Sequence, residues 1–134
     1  MKPNTVEWLD FAKADLLGAR VLAETQKLEN LVAYHCHQSA EKALKAVLVE
    51  LSVDFPKTHD LGLLADLIRN NGVSVAEILP LLKEINPYSI APRYPGFETE
   101  SSELPLLMDS AQSIFDYSLG VIEQRGTSTD EKNA

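Results

Sequence analysis

The stretch from about Leu31 to about Val53 constrains this chain more than any other part of it. Wound at about 100° per residue, Val32, Cys36, Ala40, Ala43, Leu44, Val47, Leu48 and Leu51 fall on one broad side. A strand would alternate apolar and polar residues, whereas these repeat at three- and four-residue steps, so the spacing predicts a long helix. Pro56 bounds it, because the residue before a proline is pushed out of the helical region. Ala40, Ala43 and Ala46 are small enough for a second helix to approach closely. So wide an apolar side has to be covered by other helices.

The rest of the chain supplies them. Asn4 is placed to cap a first helix, with Glu7 three residues on as a variant capping box. Val6, Leu9, Ala12, Leu16, Ala19, Leu22 and Ala23 form its stripe, which Trp8 and Phe11 widen, and Lys27 to Asn30 make a polar turn. Thr58 reads as the N-cap of a third helix, with Asp60 favourable in its first turn, the stripe Leu61, Leu64, Ala65, Ile68, and a stop at Asn70-Asn71-Gly72. Ser74 to Glu77 is a capping box for a fourth helix, which Pro80 kinks or delays. From Asn86 to Ser102 four turn-forming residues, Pro87, Pro92, Pro95 and Gly96, break the periodicity, and a loop this long is often functional. Ser101 or Ser102 then caps a last helix, apolar at Leu104, Leu107, Met108, Ala111, Ile114, Phe115, Leu119 and Ile122 and ended by Gly126. The expectation is an all-α, up-and-down bundle of four to five helices, one domain over 1–126 with a polar, frayed tail over 127–134. Helix faces this rich in apolar residues also suggest a two-fold homodimer.

Charge and cysteine usage narrow the function. No run approaches the ~20 apolar residues of a membrane span, and the start lacks a signal-peptide core, so a cytoplasmic protein is expected. Cys36 is the single cysteine and lies on the apolar side, which predicts a buried, inert thiol. One Cys and three His do not make a zinc set, and no metal is expected. The formal net charge of -8 argues against broad binding to a nucleic-acid backbone. From Glu98 to Glu123 there are acidic residues and no Lys or Arg, while between His35 and His59 the signs balance. An anion site is therefore expected in the middle of the chain.

His35, Gln38, Lys42 and Lys45 gather on the second helix opposite its apolar side, with Ser39 and Glu41 at the edges. Two ammonium groups and an amide suit a phosphate, and His35 adds a switchable donor. The plainer reading is a solvated polar face in which Glu41 pairs with Lys45 at i,i+4. His37 falls toward the apolar edge and is expected to pack and donate a hydrogen bond. His59, beside a helix N-terminus with unpaired N–H groups, suits an anion, although Thr58 and Asp60 as simple caps explain the same residues. Arg93 and Tyr94 in the Pro-rich loop suit phosphate or base recognition. Equally, Tyr88 and Tyr94 pin the loop and Arg93 pairs with an acidic neighbour. For acid–base chemistry the candidates are His59 and His35, with Arg93.

Four segments resemble one family. Tyr34-His35-Cys36-His37-Gln38-Ser39-Ala40-Glu41-Lys42-Ala43-Leu44-Lys45-Ala46 is similar to the HQAAEKALKA signature of HEPN domains, the higher eukaryotes and prokaryotes nucleotide-binding family. Lys57-Thr58-His59-Asp60-Leu61 resembles the family's THDL segment, Trp8 with Ala12-Lys13-Ala14-Asp15-Leu16 its first helix, and Arg93-Tyr94-Pro95 the RYP segment before its last helix. The resemblance implies a five-helix bundle that usually dimerises. It also implies one of several activities: an RNA-cleaving toxin paired with a nucleotidyltransferase-type antitoxin, or a non-catalytic nucleotide binder. The cleaving branch carries Arg, a short spacer and His. Here the arginines are Arg20, Arg69, Arg93 and Arg125 and the histidines His35, His37 and His59, and no pair has that spacing. The expectation is a non-catalytic module binding a nucleotide or anion through His35, Gln38, Lys42, Lys45, His59, Arg93 and Tyr94, with no other cofactor. The alternatives are an RNA-cleaving toxin with a non-standard site and a scaffold or antitoxin-like protein with no small ligand.

Overall fold

Pro3 opens the first helix: its ring holds the φ a first turn needs, and the N–H it lacks would have had no partner there. The computed structural model describes residues 1–133, with side chains as far as Arg125. Five α-helices follow in the order α1 (Pro3–Ala23), α2 (Glu29–Glu50), α3 (Leu61–Asn70), α4 (Leu79–Ile85) and α5 (Leu104–Asn133). Three short 3-10 turns, Asn86–Tyr88, Ala91–Arg93 and Ser101–Glu103, lie between α4 and α5. No strand occurs among the described residues, and none of their helices is long and apolar enough to cross a membrane.

α2 is the central element. Its predicted apolar side is fully buried at Val32, Cys36, Ala40, Ala43, Leu44, Val47 and Leu48, with α1 and α5 as its main neighbours and α3 also packed on it. Each large side chain taken out of water there contributes about 1.5–3 kcal/mol. Leu61, Leu64, Ala65 and Ile68 of α3 and Leu107, Ala111, Ile114 and Ile122 of α5 join the same core, and α5 also touches α1, where Arg20 donates to Gln112 Oε1 at 2.7 Å.

Several local expectations are corrected by the geometry. Lys2, not Asn4, is the residue before α1 and makes no side-chain cap, since Pro3 sets the turn. Glu29 and Asn30 already belong to α2, which ends at Glu50 well before Pro56; Ser52 turns the chain at φ 59. Asp60 rather than Thr58 caps α3, accepting from Gly62 N at 2.9 Å, while Thr58 Oγ1 accepts from Asp60 N at 3.1 Å. Ser74 starts only a turn, and Pro80 delays α4 so that it begins at Leu79. The turn Ser101–Glu103 that leads into the last helix is opened by a capping box between Glu100 and Glu103, the Glu103 carboxylate accepting from Glu100 N at 2.8 Å, and not by a cap at Ser101 or Ser102. Gly126 does not end α5; side chains beyond Arg125, and with them the frayed tail expected over 127–134, lie outside the described residues. Val6 and Phe11, placed on the buried stripe of α1, are exposed, Phe11 at 60%.

Candidate functional site

The polar side of α2 is not a solvated face. α1 lies along part of it, and Ser39, fully buried, donates to the Ala12 carbonyl of α1 at 2.7 Å. Burying charged residues there requires that they find partners inside the protein, and the long side chains sort into two clusters.

In the first cluster Asp15 of α1 is shared by two residues of α2. Its Oδ1 lies 2.9 Å from His35 Nδ1, and its Oδ2 accepts from Lys42 Nζ at 2.6 Å. Lys42 also lies 5.7 Å from the Phe11 ring centre, in cation–π range. A cleft of about 460 Å³ beside it is lined by Asn4, Glu7, Trp8, Phe11 and Lys42.

In the second, Glu41 is 4% exposed and Lys45 8%. Lys45 Nζ donates to Glu41 Oε2 at 3.0 Å and sits 5.5 Å from the Trp8 ring and 5.7 Å from the Phe55 ring. The other carboxylate oxygen, Oε1, lies 2.8 Å from His59 Nδ1. His59 itself is 50% exposed at its side chain. His37 Nδ1 is 4.0 Å from the same Oε1, and the His59 backbone and the Asn86 side chain face the ring and favour its proton from beyond ordinary hydrogen-bond distance. Burial pushes the His37 pKa down to about 4, against the opposing pull of the Glu41 carboxylate. Cys36, one residue away, has its thiol pushed up to about 12 by burial, as an inert thiol should.

A third arrangement joins α2 to the Pro-rich loop. Asn30 clamps the loop with both ends of its amide: Nδ2 donates to the Phe97 carbonyl at 2.7 Å and Oδ1 accepts from Thr99 N at 2.9 Å. Tyr88 donates to Glu103 Oε1 at 3.1 Å and meets Phe97 edge-on at 5.9 Å. The exposed Arg93 guanidinium lies 5.3 Å from the Tyr34 ring centre and makes no ion pair among the described residues. Tyr34 in turn meets His35 edge-on at 5.6 Å. Of the two expected pins only Tyr88 holds the loop; Tyr94 is 60% exposed.

This junction has an electrostatic property of its own. Residues 30–40 and residues 85–97 contain no Asp or Glu, in a chain with 20 of them. The turns Asn86–Tyr88 and Ala91–Arg93 both pack on α2, so these two segments meet in one seam whose own residues carry no carboxylate, although Glu103 reaches it at Tyr88. Asp15 reaches its edge at His35 but is already held by Lys42.

Of the predicted ligand residues, the structure brings Arg93 to the Tyr34 ring that also meets His35, while Gln38 and Tyr94 only share those two segments, Lys42 and Lys45 are engaged with carboxylates and His59 lies with Glu41. The N–H groups at the start of α3 meet Asp60 and Asn86 instead of an open anion site, Leu61 N donating to Asn86 Oδ1 at 3.1 Å. Sequence reasoning missed Asp15, Asn30 and Tyr34 as organisers. Asp15 and Asn30 act through partners far along the chain, which no local spacing reveals. The paired carboxylate-free stretches are visible in the sequence, but not that they meet. No group of three or more metal-binding side chains suited to an ion is found among the described residues.

The family model of the HEPN domain matches residues 5–122. No curated protein matches the chain. Among solved structures, the crystal structure of TT1696 from Thermus thermophilus superposes with a TM-score of 0.76 at 21% identity, over 90% of this chain and 99% of that one. The structure of ST0689, an archaeal HEPN homologue, gives a TM-score of 0.70 at 22% identity, over 91% of this chain and 99% of that one. At these identities the two structures bear on the fold alone.

Proposed function

The chain belongs to the HEPN domain family, and from that premise we propose that it is a non-catalytic module binding a nucleotide or related anion, acting as a homodimer beside a nucleotidyltransferase-type partner. The observation that carries the ligand half is the exposed Arg93 guanidinium, presented over Tyr34 with no ion pair among the described residues, on two segments that themselves carry no Asp or Glu. In a protein of net charge -8, an anion is repelled least where carboxylates are absent. A guanidinium that rests on an aromatic ring with no acidic partner keeps its N–H edge for a phosphate. The clamp from Asn30 holds the loop in place before any ligand arrives, which lowers the ordering cost of binding. The dimer half is supported by the outer face of α1, where Phe11, Leu17 and Val21 are all exposed.

Calorimetric titration with ATP, GTP and their monophosphates tests the ligand half. Arg93→Ala is expected to weaken binding about ten- to hundredfold, the loss of about 1.5–3 kcal/mol for a hydrogen bond to a charged group. Lys45→Ala should act only through stability, since Lys45 is committed to Glu41. Absence of heat from all four ligands at millimolar concentration would remove the nucleotide site. Light scattering that gives a strict monomer would remove the homodimer.

One observation favours a second, enzymatic reading. A buried carboxylate holding His59 Nδ1 fixes the imidazole and directs Nε2 outward, the arrangement an acid–base histidine needs. His35 is held on Asp15 in the same way. Under that reading purified wild type cleaves RNA and His59→Ala does not; RNA left intact by the wild type ends it.

A further inference from the structure

Two copies of a chain with net charge -8 repel one another, so a face on which they meet has to be locally neutral as well as apolar. The outer side of α1 meets both conditions. Wound at about 100° per residue, Val6, Asp10, Lys13 and Leu17 fall within an arc of about 60°. All four are exposed, Leu17 at 55%, and Val21 at 66% continues the strip. The side chains of Asp10 and Lys13 make no ion pair or hydrogen bond among the described residues, unlike Asp15 and Arg20 on the same helix, which are held by Lys42 and Gln112.

The spacing of the four residues is symmetric, at steps of four, three and four. It is the alternation of the seam positions of a helix pair, with apolar residues outside and opposite charges inside. A two-fold axis passing between Asp10 and Lys13 turns a second α1 end for end. Val6 then faces the partner's Leu17 and Asp10 faces the partner's Lys13, and the symmetry makes each contact twice. Other arrangements lose this match. A parallel pair sets Asp10 against the partner's Asp10 and Lys13 against the partner's Lys13. An antiparallel pair slid by four residues brings Val6 to the partner's Val21 but leaves Asp10 against the partner's Leu17.

We propose that α1 pairs with α1 of a second copy in an antiparallel two-fold contact, with Asp10 and Lys13 exchanging ion pairs across the axis and Val6 and Leu17 flanking them. This rests on the homodimer reading above and adds its surface, direction and register. The ion pairs select this arrangement over its competitors more than they add affinity.

The test is sedimentation equilibrium of the full chain at low and high salt. Asp10→Lys and Lys13→Asp are each expected to raise the dimer dissociation constant at least about tenfold, since each sets two like-charge contacts at the axis. Added salt should narrow that gap. An equimolar mixture of the two variants should associate as the wild type does, because every lysine at the axis then faces an aspartate, and the double variant Asp10→Lys, Lys13→Asp should do the same alone. Both positions are exposed and without partners in their own chain, so the variants are expected to keep the helical circular dichroism of the wild type. Leu106→Asp, at an exposed apolar position on α5, should leave the dimer unchanged. A wild type that is monomeric throughout removes the homodimer and this contact together. A dimer that neither single reversal weakens keeps the homodimer and overturns the α1 contact. Weakening by both, with no recovery in the mixture or the double variant, overturns the antiparallel register.

Discussion

Glu41→Ala is expected to destabilise the protein by about 3–5 kcal/mol, because it leaves the Lys45 ammonium buried without its counter-charge. Lys45 is 8% exposed, donates to Glu41 Oε2, and is otherwise surrounded by the Trp8 and Phe55 rings, whose quadrupoles compensate only part of a lost carboxylate. The same substitution frees His59 from Oε1 and so unties the α2–α3 connection from α2. Urea denaturation at pH 7 measures the loss as a lower midpoint. The double variant Glu41→Leu, Lys45→Met removes both charges together and should recover most of it, since a buried pair taken out of water contributes little net stability. A Glu41→Ala variant as stable as wild type would show that water reaches Lys45. The i,i+4 spacing of Glu41 and Lys45 by itself suggests a surface pair of a few tenths of a kcal/mol. Burial under α1 is what raises the stakes.

The second large effect is a loss of stability in mild acid, traced to His37. Its folded-state pKa is lowered to about 4 by burial, from 6.5. Above pH 6.5 the ring is neutral in both the folded and unfolded chain, and its contribution to stability is fully present. As pH falls below 6.5 the unfolded chain takes up a proton that the folded protein refuses. Stability therefore declines by about 1.4 kcal/mol per pH unit until pH approaches 4, about 3 kcal/mol in all. The groups facing His37 are Glu41, His59 and Asn86. His37→Leu, of similar bulk and without ring nitrogens to satisfy, should flatten the stability curve between pH 6.5 and 4. It should cost little stability at pH 7, because the contacts of the ring with the His59 backbone and Asn86 are longer than ordinary hydrogen bonds. Equal slopes for variant and wild type across that window would assign the acid loss to other groups.

These effects sit on one helix, and its residues show how far local pattern reaches. Spacing alone assigns Val32, Cys36, Ala40, Ala43, Leu44, Val47 and Leu48 to the core, and all are fully buried. The apolar stripe of α3 and the stop at Asn70-Asn71-Gly72 are equally legible, Gly72 adopting the φ of 87 that such a stop requires. Capping is legible only approximately. Several polar residues compete within two or three positions at each helix start, and packing selects among them: Asp60 over Thr58, the Glu100–Glu103 pair over the serines. Phe11 shows the converse error, since a large apolar residue at the margin of a stripe belongs to the core only if a neighbouring element covers it.

The sequence by itself determined that the chain is helical, where its breaks fall, and which side of each long helix seeks the core. Those properties follow from periodicity, proline and glycine, which act over a few residues. Only the tertiary structure decided the fate of the polar residues. Amphipathicity states which side chains avoid water but not what lies over the others. The approach of α1 turned an apparently solvated row into Asp15–His35–Lys42, partners 20 and 27 residues apart, and α1 together with the α2–α3 connection made the cluster of His59 on the buried Glu41–Lys45 pair. The meeting of two carboxylate-free segments, 30–40 and 85–97, is likewise a product of packing. Charges interact through space, so the site they form depends on which helices pack together, and that choice is made by the core.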